Sequence, residues 1–211
     1  LLLERGIPVR RDADDWNPRR ILLERRYRTD TPILVRQYGA RGPTPEHLNA
    51  VVGGASVFYG GASLRLRQTD FGGWPLDYDD LEPFYGQAEA LLGVHGQVGD
   101  DPHEPPRSCG YPHLPIDLTP PAQRIDRAAR SLGYRPFSMP IALNFRDAGR
   151  PQCIRCITCD GFPCQIGAKN DLEVTVLAQA QEAGLEVMAG VRAARLRLAG
   201  DRAVAAECVE L

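Results

Sequence analysis

The sequence predicts a mixed α/β (α+β) chain, in which a lobe of strands and helices is interrupted by a helical, loop-rich insertion. Three observations carry that prediction. The apolar run Leu1–Leu3, closed by Glu4 and Gly6, reads as the end of a buried parallel strand. Three later segments repeat apolar residues at three-four spacing between a polar cap and a glycine, the pattern of amphipathic helices. From Leu185 onward, short apolar runs alternate with turns, as in a βαβ-like return followed by a meander.

Residues 10–50 are rich in arginine and proline and show little periodicity, so they read as loop with room for one short helix. Ala50–Arg65 is glycine-rich with few charges, which permits close approach of backbone to a ligand or to another segment. Asp79 or Asp80 can cap a helix whose stripe is Leu81, Phe84, Tyr85, Ala88, Leu91 and Leu92; Gly93 ends it, and Pro83 is placed in its first turn. The proline, glycine and histidine content of residues 95–121 suggests a long surface excursion. A second helix runs from about Pro121 to Leu132, with Thr119 as cap, Gly133 as stop, and Ala122, Ile125, Ala129 and Leu132 on one face. Asn170 with Glu173 makes a capping-box-like start for a third, striped by Leu172, Val176, Leu177 and Ala180 and ended by Gly184. Strands follow at Leu185–Met188 and Val191–Leu198, then a turn at Gly200-Asp201 and a last strand from about Ala203.

A chain of 211 residues can bury one ample core or two small domains. A formal net charge of -2 argues against nucleic acid or an anionic membrane as partner, and no apolar run approaches the length of a membrane span. The chain opens on Leu1 without methionine, inside one expected strand, and closes inside another, so both ends read as cut. Any targeting segment would lie upstream, which leaves cytoplasm and periplasm both open.

Glu4 is the first candidate for chemistry. An acidic residue closing a strand of a dinucleotide fold holds the ribose hydroxyls, roughly 20 residues after a glycine-rich turn. That turn would precede Leu1, and taken alone Glu4 reads as a solvated strand-end glutamate. Further on, Val52-Gly53-Gly54-Ala55-Ser56-Val57-Phe58-Tyr59-Gly60-Gly61-Ala62-Ser63-Leu64-Arg65 resembles the first signature of the glucose–methanol–choline (GMC) oxidoreductases. In that family the segment runs along the flavin and its pyrophosphate, and Gly53, Gly54 and Ser56 match the pattern. Asn49-Ala50 and Tyr59 depart from it, which leaves open the bacterial sugar-dehydrogenase and cholesterol-oxidase-like branches. Trp74-Pro75-Leu76-Asp77-Tyr78-Asp79-Asp80-Leu81-Glu82-Pro83-Phe84-Tyr85 resembles a second family segment, structural in role, and Leu185–Leu198 resembles the strand that brackets the adenine, with Ala193 at the bracketing position.

The resemblance implies a partial FAD-binding Rossmann-like lobe in residues 1–65 and 165–211, with residues 66–164 inserted over the flavin cleft. It implies FAD held by Glu4, Gly53, Gly54, Ser56 and Ala193, not covalently, because Phe58 stands where covalent members carry histidine. In the family a histidine base takes the proton of an alcohol, sugar or sterol hydroxyl while hydride passes to the flavin. That histidine and its partner are expected beyond Leu211, so no catalytic residue is assigned, and His47, His95, His103 and His113 read as loop or surface histidines. Cys153, Cys156, Cys159 and Cys164 have spacings near those of a ferredoxin run, though the last gap is one residue longer. The spacing leaves an iron–sulfur cluster and simple packing thiols both open, and zinc fits less well. A cluster would pass electrons to a cytochrome or quinone; oxygen is the other acceptor. A reading from another class takes the chain as a small iron–sulfur or zinc-binding module, which explains the cysteines but leaves the glycine and Trp-Pro blocks without purpose.

Overall fold

In a computed structural model, residues 1–29, 32–36, 41–156 and 158–211 are described. They fall into two units: residues 1–59, 157–167 and 172–211 form the first, and residues 60–156 and 168–171 the second. Helices and strands are mixed, as expected.

In the first unit the opening apolar run forms β1 (Leu2–Glu4). A 3-10 turn (Ala13–Trp16) follows, started by the Asp12 side chain accepting from Asp14 N at 3.0 Å, and then a π turn (Arg19–Leu23). β2 (Ile33–Val35) and β3 (Thr44–Glu46) pair antiparallel, with Leu34 opposite Pro45. The loop reading of residues 10–50 missed these elements because each has too few residues to show a period. β4 (Val187–Ala189) pairs parallel with β1, Leu3 opposite Met188, which bears out the parallel pairing, but the strand is not buried as expected: Leu1 and Leu2 are exposed. β5 (Val191–Ala199) and β6 (Arg202–Glu210) form an antiparallel hairpin, with breaks in register after Ala193 and after Arg197.

The core of this unit gathers Ile21, Tyr27, Val51, Val57, Phe58 and Phe162. Val51 and Val57 are fully buried, and each such side chain contributes about 1.5–3 kcal/mol relative to exposure. Tyr27 and Phe58 meet as a tilted pair with centroids 5.9 Å apart. The Tyr27 hydroxyl donates to Asp15 at 2.8 Å, and burial pushes its pKa up to about 12.

The expected cap at Asn170 does not form. The segment after it is a π turn (Glu173–Leu177) running into a short helix, which follows two longer helices in chain order. Asn170 belongs to the second unit, where its Nδ2 donates to Leu92 O at 2.8 Å and its Oδ1 accepts from Arg150 at 2.6 Å. The donor a cap would have satisfied, Leu172 N, is taken instead by Ser56 Oγ at 3.0 Å.

The second unit holds α1 (Tyr78–Leu91) and α2 (Pro120–Ser131), and the short helix in the first unit is α3 (Ala178–Glu182). α1 is capped by Asp77, not by Asp79 or Asp80: Asp77 accepts from Asp80 N at 3.2 Å while Asp80 accepts from Asp77 N at 3.0 Å. This reciprocal box moves the start upstream and leaves Pro83 within the helix, past its first turn. α2 starts at Thr119, whose side chain makes no capping bond, and none of its residues is buried; Ile125 and Leu132 stay exposed. No described helix is long and apolar enough to cross a membrane.

His95 is buried in this unit, not at a surface as expected. Its backbone exchanges hydrogen bonds with Ile141 at 2.9 Å in both directions, its Nδ1 lies 2.9 Å from Leu114 O, and its ring stands 4.8 Å from that of His113. Burial first, then the nearby His113 and Arg146, hold its pKa below the ordinary histidine value. The unfolded chain therefore takes up a proton that the folded chain refuses. This histidine leaves stability intact above about pH 6.5, and below it stability falls by up to about 1.4 kcal/mol per pH unit. Urea midpoints measured between pH 8 and 5 should show this slope, and His95→Asn, which keeps a donor for Leu114 O, should flatten it. An equal slope in the variant would assign the effect to other groups.

Candidate functional site

Gly6 is the residue on which the predicted parts of the site converge. Its N–H donates to Glu4 Oε1 at 2.5 Å, and its carbonyl accepts from Gly190 N at 3.0 Å, at the entry to β5. The neighbouring Ile7 bridges in parallel to Val51, with Val52 N donating to Ile7 O at 3.0 Å. The end of β1, the approach to the glycine pair and the approach to Ala193 are thus tied together through one short stretch of backbone. A side chain at position 6 would place a Cβ 2.2 Å from Val51 N, so only glycine permits this approach. Sequence reasoning used Gly6 only to close a strand; a glycine two residues after the strand-end acid was the available signal.

Glu4 is half-buried, and its carboxylate is turned toward its own backbone. Ala193 lies on β5 opposite Cys208, immediately before the break in register, and is exposed. Irregularities of this kind bend a strand and re-aim the residues beside it.

Gly53 and Gly54 both adopt left-handed backbone, φ 89° and 60°, ahead of a 3-10 turn over Gly54–Val57. A Cβ at Gly53 would lie 3.0 Å from Val57 Cγ2 and 3.1 Å from Glu173 Cβ, whereas at Gly54 it would meet open space. The segment is therefore packed on its Gly53 side and bare on its Gly54 side, the form of a backbone against which a ligand can lie. Ser56 locks it: its Oγ donates to Gly53 O at 2.7 Å while accepting from Leu172 N. Behind it, Phe58 is buried and its carbonyl accepts from Gly161 N at 2.7 Å.

Arg11 was not singled out by sequence. Its guanidinium pairs with Glu173 and donates to Cys164 O at 2.7 Å, which fixes the cysteine loop and the turn behind Gly53 to one side chain. Within the run Arg10-Arg11 no pattern distinguishes it.

The four clustered cysteines are divided between the units, Cys153 and Cys156 in the second, Cys159 and Cys164 in the first. Cys164 is buried and the other three are half-buried. Among the described residues, no three His, Cys, Asp or Glu side chains gather into a set that could hold a metal ion. The expected iron–sulfur site at Cys153, Cys156, Cys159 and Cys164 gains no support from the described residues, and no electron-relay step is derived through it.

Comparison with known proteins adds the following. Residues 46–211 match the family described as GMC oxidoreductase. The chain is 42% identical over 164 residues to 6'''-hydroxyparomomycin C oxidase of Streptomyces lividus, covering 69% of this chain and 29% of that protein. It is 38% identical over 160 residues to paromamine 6'-oxidase of Streptomyces fradiae, covering 69% and 28%. It is 32% identical over 152 residues to the gluconate 2-dehydrogenase flavoprotein of Pantoea cypripedii, covering 63% and 24%. The chain therefore spans less than a third of the length of these relatives.

Proposed function

The chain belongs to the GMC oxidoreductase family, and from that premise we propose that it forms part of an FAD-dependent enzyme that oxidises a CH–OH group of a sugar or sugar-like alcohol. The observation that carries this reading is the glycine segment, locked by Ser56, packed behind Gly53 and bare at Gly54. Glu4, Gly53, Gly54, Ser56 and Ala193 are the residues that would hold FAD: Glu4 at the ribose hydroxyls, Ala193 at the adenine, and the glycine segment along the pyrophosphate and flavin. The cofactor, when bound, supplies the hydride acceptor; this chain supplies position and a dry wall. Two of the relatives are oxidases named for paromomycin- and paromamine-type substrates. An aminoglycoside hydroxyl is accordingly the first substrate class to try, with a sugar acid such as gluconate the second. Flavin absorption in the purified full-length protein, and its bleaching under anaerobic conditions by one of these alcohols, tests the proposal; protein without flavin bands overturns it. Stoichiometric iron and acid-labile sulfide in the same preparation would restore the electron relay.

The flavin is expected to be held without a covalent bond. Phe58 is buried and carries no atom that could attach to it. Acid precipitation should therefore release the yellow colour into the supernatant; colour in the pellet would show an attachment elsewhere.

A further inference from the structure

β1 and β4 run parallel, and in open α/β folds the carboxyl ends of parallel strands are where ligands bind. Beyond those ends, entirely within the first unit, lies a cavity of about 410 Å³. Arg5 and Gly6 after β1, and Gly190 and Arg192 after β4, line it together with Arg26 and Arg28. Four guanidiniums line it and no aspartate or glutamate does. Arg26 is already held by Asp12 at 2.5 Å and Asp15 at 3.1 Å. Arg28 and Arg192 have no carboxylate partner among the described residues, although this chain pairs many of its arginines elsewhere.

We infer that this cavity is an anion subsite that takes a phosphate group, held by Arg28 and Arg192 beside the adenosine end of the proposed FAD site but separate from the pyrophosphate. Phosphate fits better than a carboxylate. The excess of positive charge is more than one, and a tetrahedral dianion can accept forked hydrogen bonds from two guanidiniums at once. At Gly190 an added Cβ would meet nothing within 4 Å, so the backbone leaves room beside the cavity on that strand end. The subsite could be served by free phosphate or by a phosphate monoester, and both share this chemistry.

The test uses full-length, flavin-loaded protein, titrated calorimetrically with inorganic phosphate at fixed ionic strength while flavin absorption is recorded. Saturable binding with the flavin retained is expected. The double variant Arg28→Ala/Arg192→Ala should weaken it about tenfold or more, since two charge-assisted contacts are lost. Arg195→Ala, an exposed change farther along β5, should leave it unchanged. A parallel titration with a hexose phosphate and the same unphosphorylated hexose separates the sources. Tighter binding of the monoester identifies an organic phosphate, and equal affinity identifies free phosphate; either upholds the subsite. Absence of saturable binding overturns the proposal. So does equal weakening in Arg195→Ala, which would mean diffuse attraction, or stoichiometric release of flavin by phosphate, which would mean that the cavity belongs to FAD. Should the protein carry no flavin at all, the functional reading fails separately, and the phosphate titration still decides the subsite.

Discussion

Glu89→Ala is expected to destabilise the second unit by about 3–5 kcal/mol, the usual cost of leaving buried charges without their partner. Glu89 sits on α1 and is 5% exposed. Its two oxygens accept from Arg65 Nε and Nη2, both at 2.8 Å, and one of them also takes Arg107. Arg65 donates further to the Tyr78 hydroxyl at 3.1 Å and to Glu82 at 3.0 Å. Arg107 reaches Glu104 at 2.7 Å and lies 3.7 Å from the Tyr111 ring centroid. Burial opposes the charge on Arg65, but its hydrogen bonds to Glu89, Tyr78 and Glu82 outweigh that and raise its pKa. Removing Glu89 would leave two guanidiniums in a space closed to water with too few acceptors. Glu89→Gln keeps one acceptor oxygen and should cost less than Glu89→Ala. A urea midpoint within 1 kcal/mol of the parent for the alanine variant (roughly the value of an exposed ion pair) would show that water reaches the network.

That network was invisible in the sequence, and the reason is physical. Arg65, Glu89 and Arg107 are 24 and 18 residues apart along the chain, beyond any local period, and a charged residue on a helix reads by default as solvated. Elements whose cause is local were legible. Leu1–Leu3 announced β1, Gly93 and Gly133 closed α1 and α2, and the turn at Gly200-Asp201 set the β5–β6 hairpin. The Asn170–Glu173 start failed because the same spacing can be satisfied from elsewhere: Ser56, more than a hundred residues upstream, took the donor. The glycine segment was legible as a motif, but not the asymmetry between Gly53 and Gly54, which exists only once Val57 and Glu173 are packed against one of them. Gly6 and Arg11 have the same character. Each is an ordinary residue in sequence, and each gains its role from a backbone or carboxylate that the fold brings to it.

Gly53→Ala and Gly54→Ala should therefore differ in kind, and the difference bears directly on the cofactor. At Gly53 an added methyl meets packed protein at 3.0–3.1 Å in a left-handed conformation. The backbone strain costs about 1–2 kcal/mol and the overpacking about 1–3 kcal/mol more, so the variant should lose stability with or without flavin. At Gly54 the same methyl meets open space, so only the backbone strain remains, about 1–2 kcal/mol. If a flavin lies along that bare face, the methyl occupies the room the cofactor needs. Flavin retention in Gly54→Ala should then fall by about tenfold or more, a loss of at least about 1.4 kcal/mol of binding, while the flavin-free protein loses no more than that backbone strain. The measurement pairs thermal midpoints of flavin-free protein with the flavin-to-protein absorbance ratio after gel filtration. Normal flavin content in Gly54→Ala would remove the glycine segment from the cofactor wall, whatever the fate of Gly53→Ala. Flavin loss in Gly54→Ala, with an unfolding penalty in Gly53→Ala that exceeds the one in Gly54→Ala, is the result the packing requires.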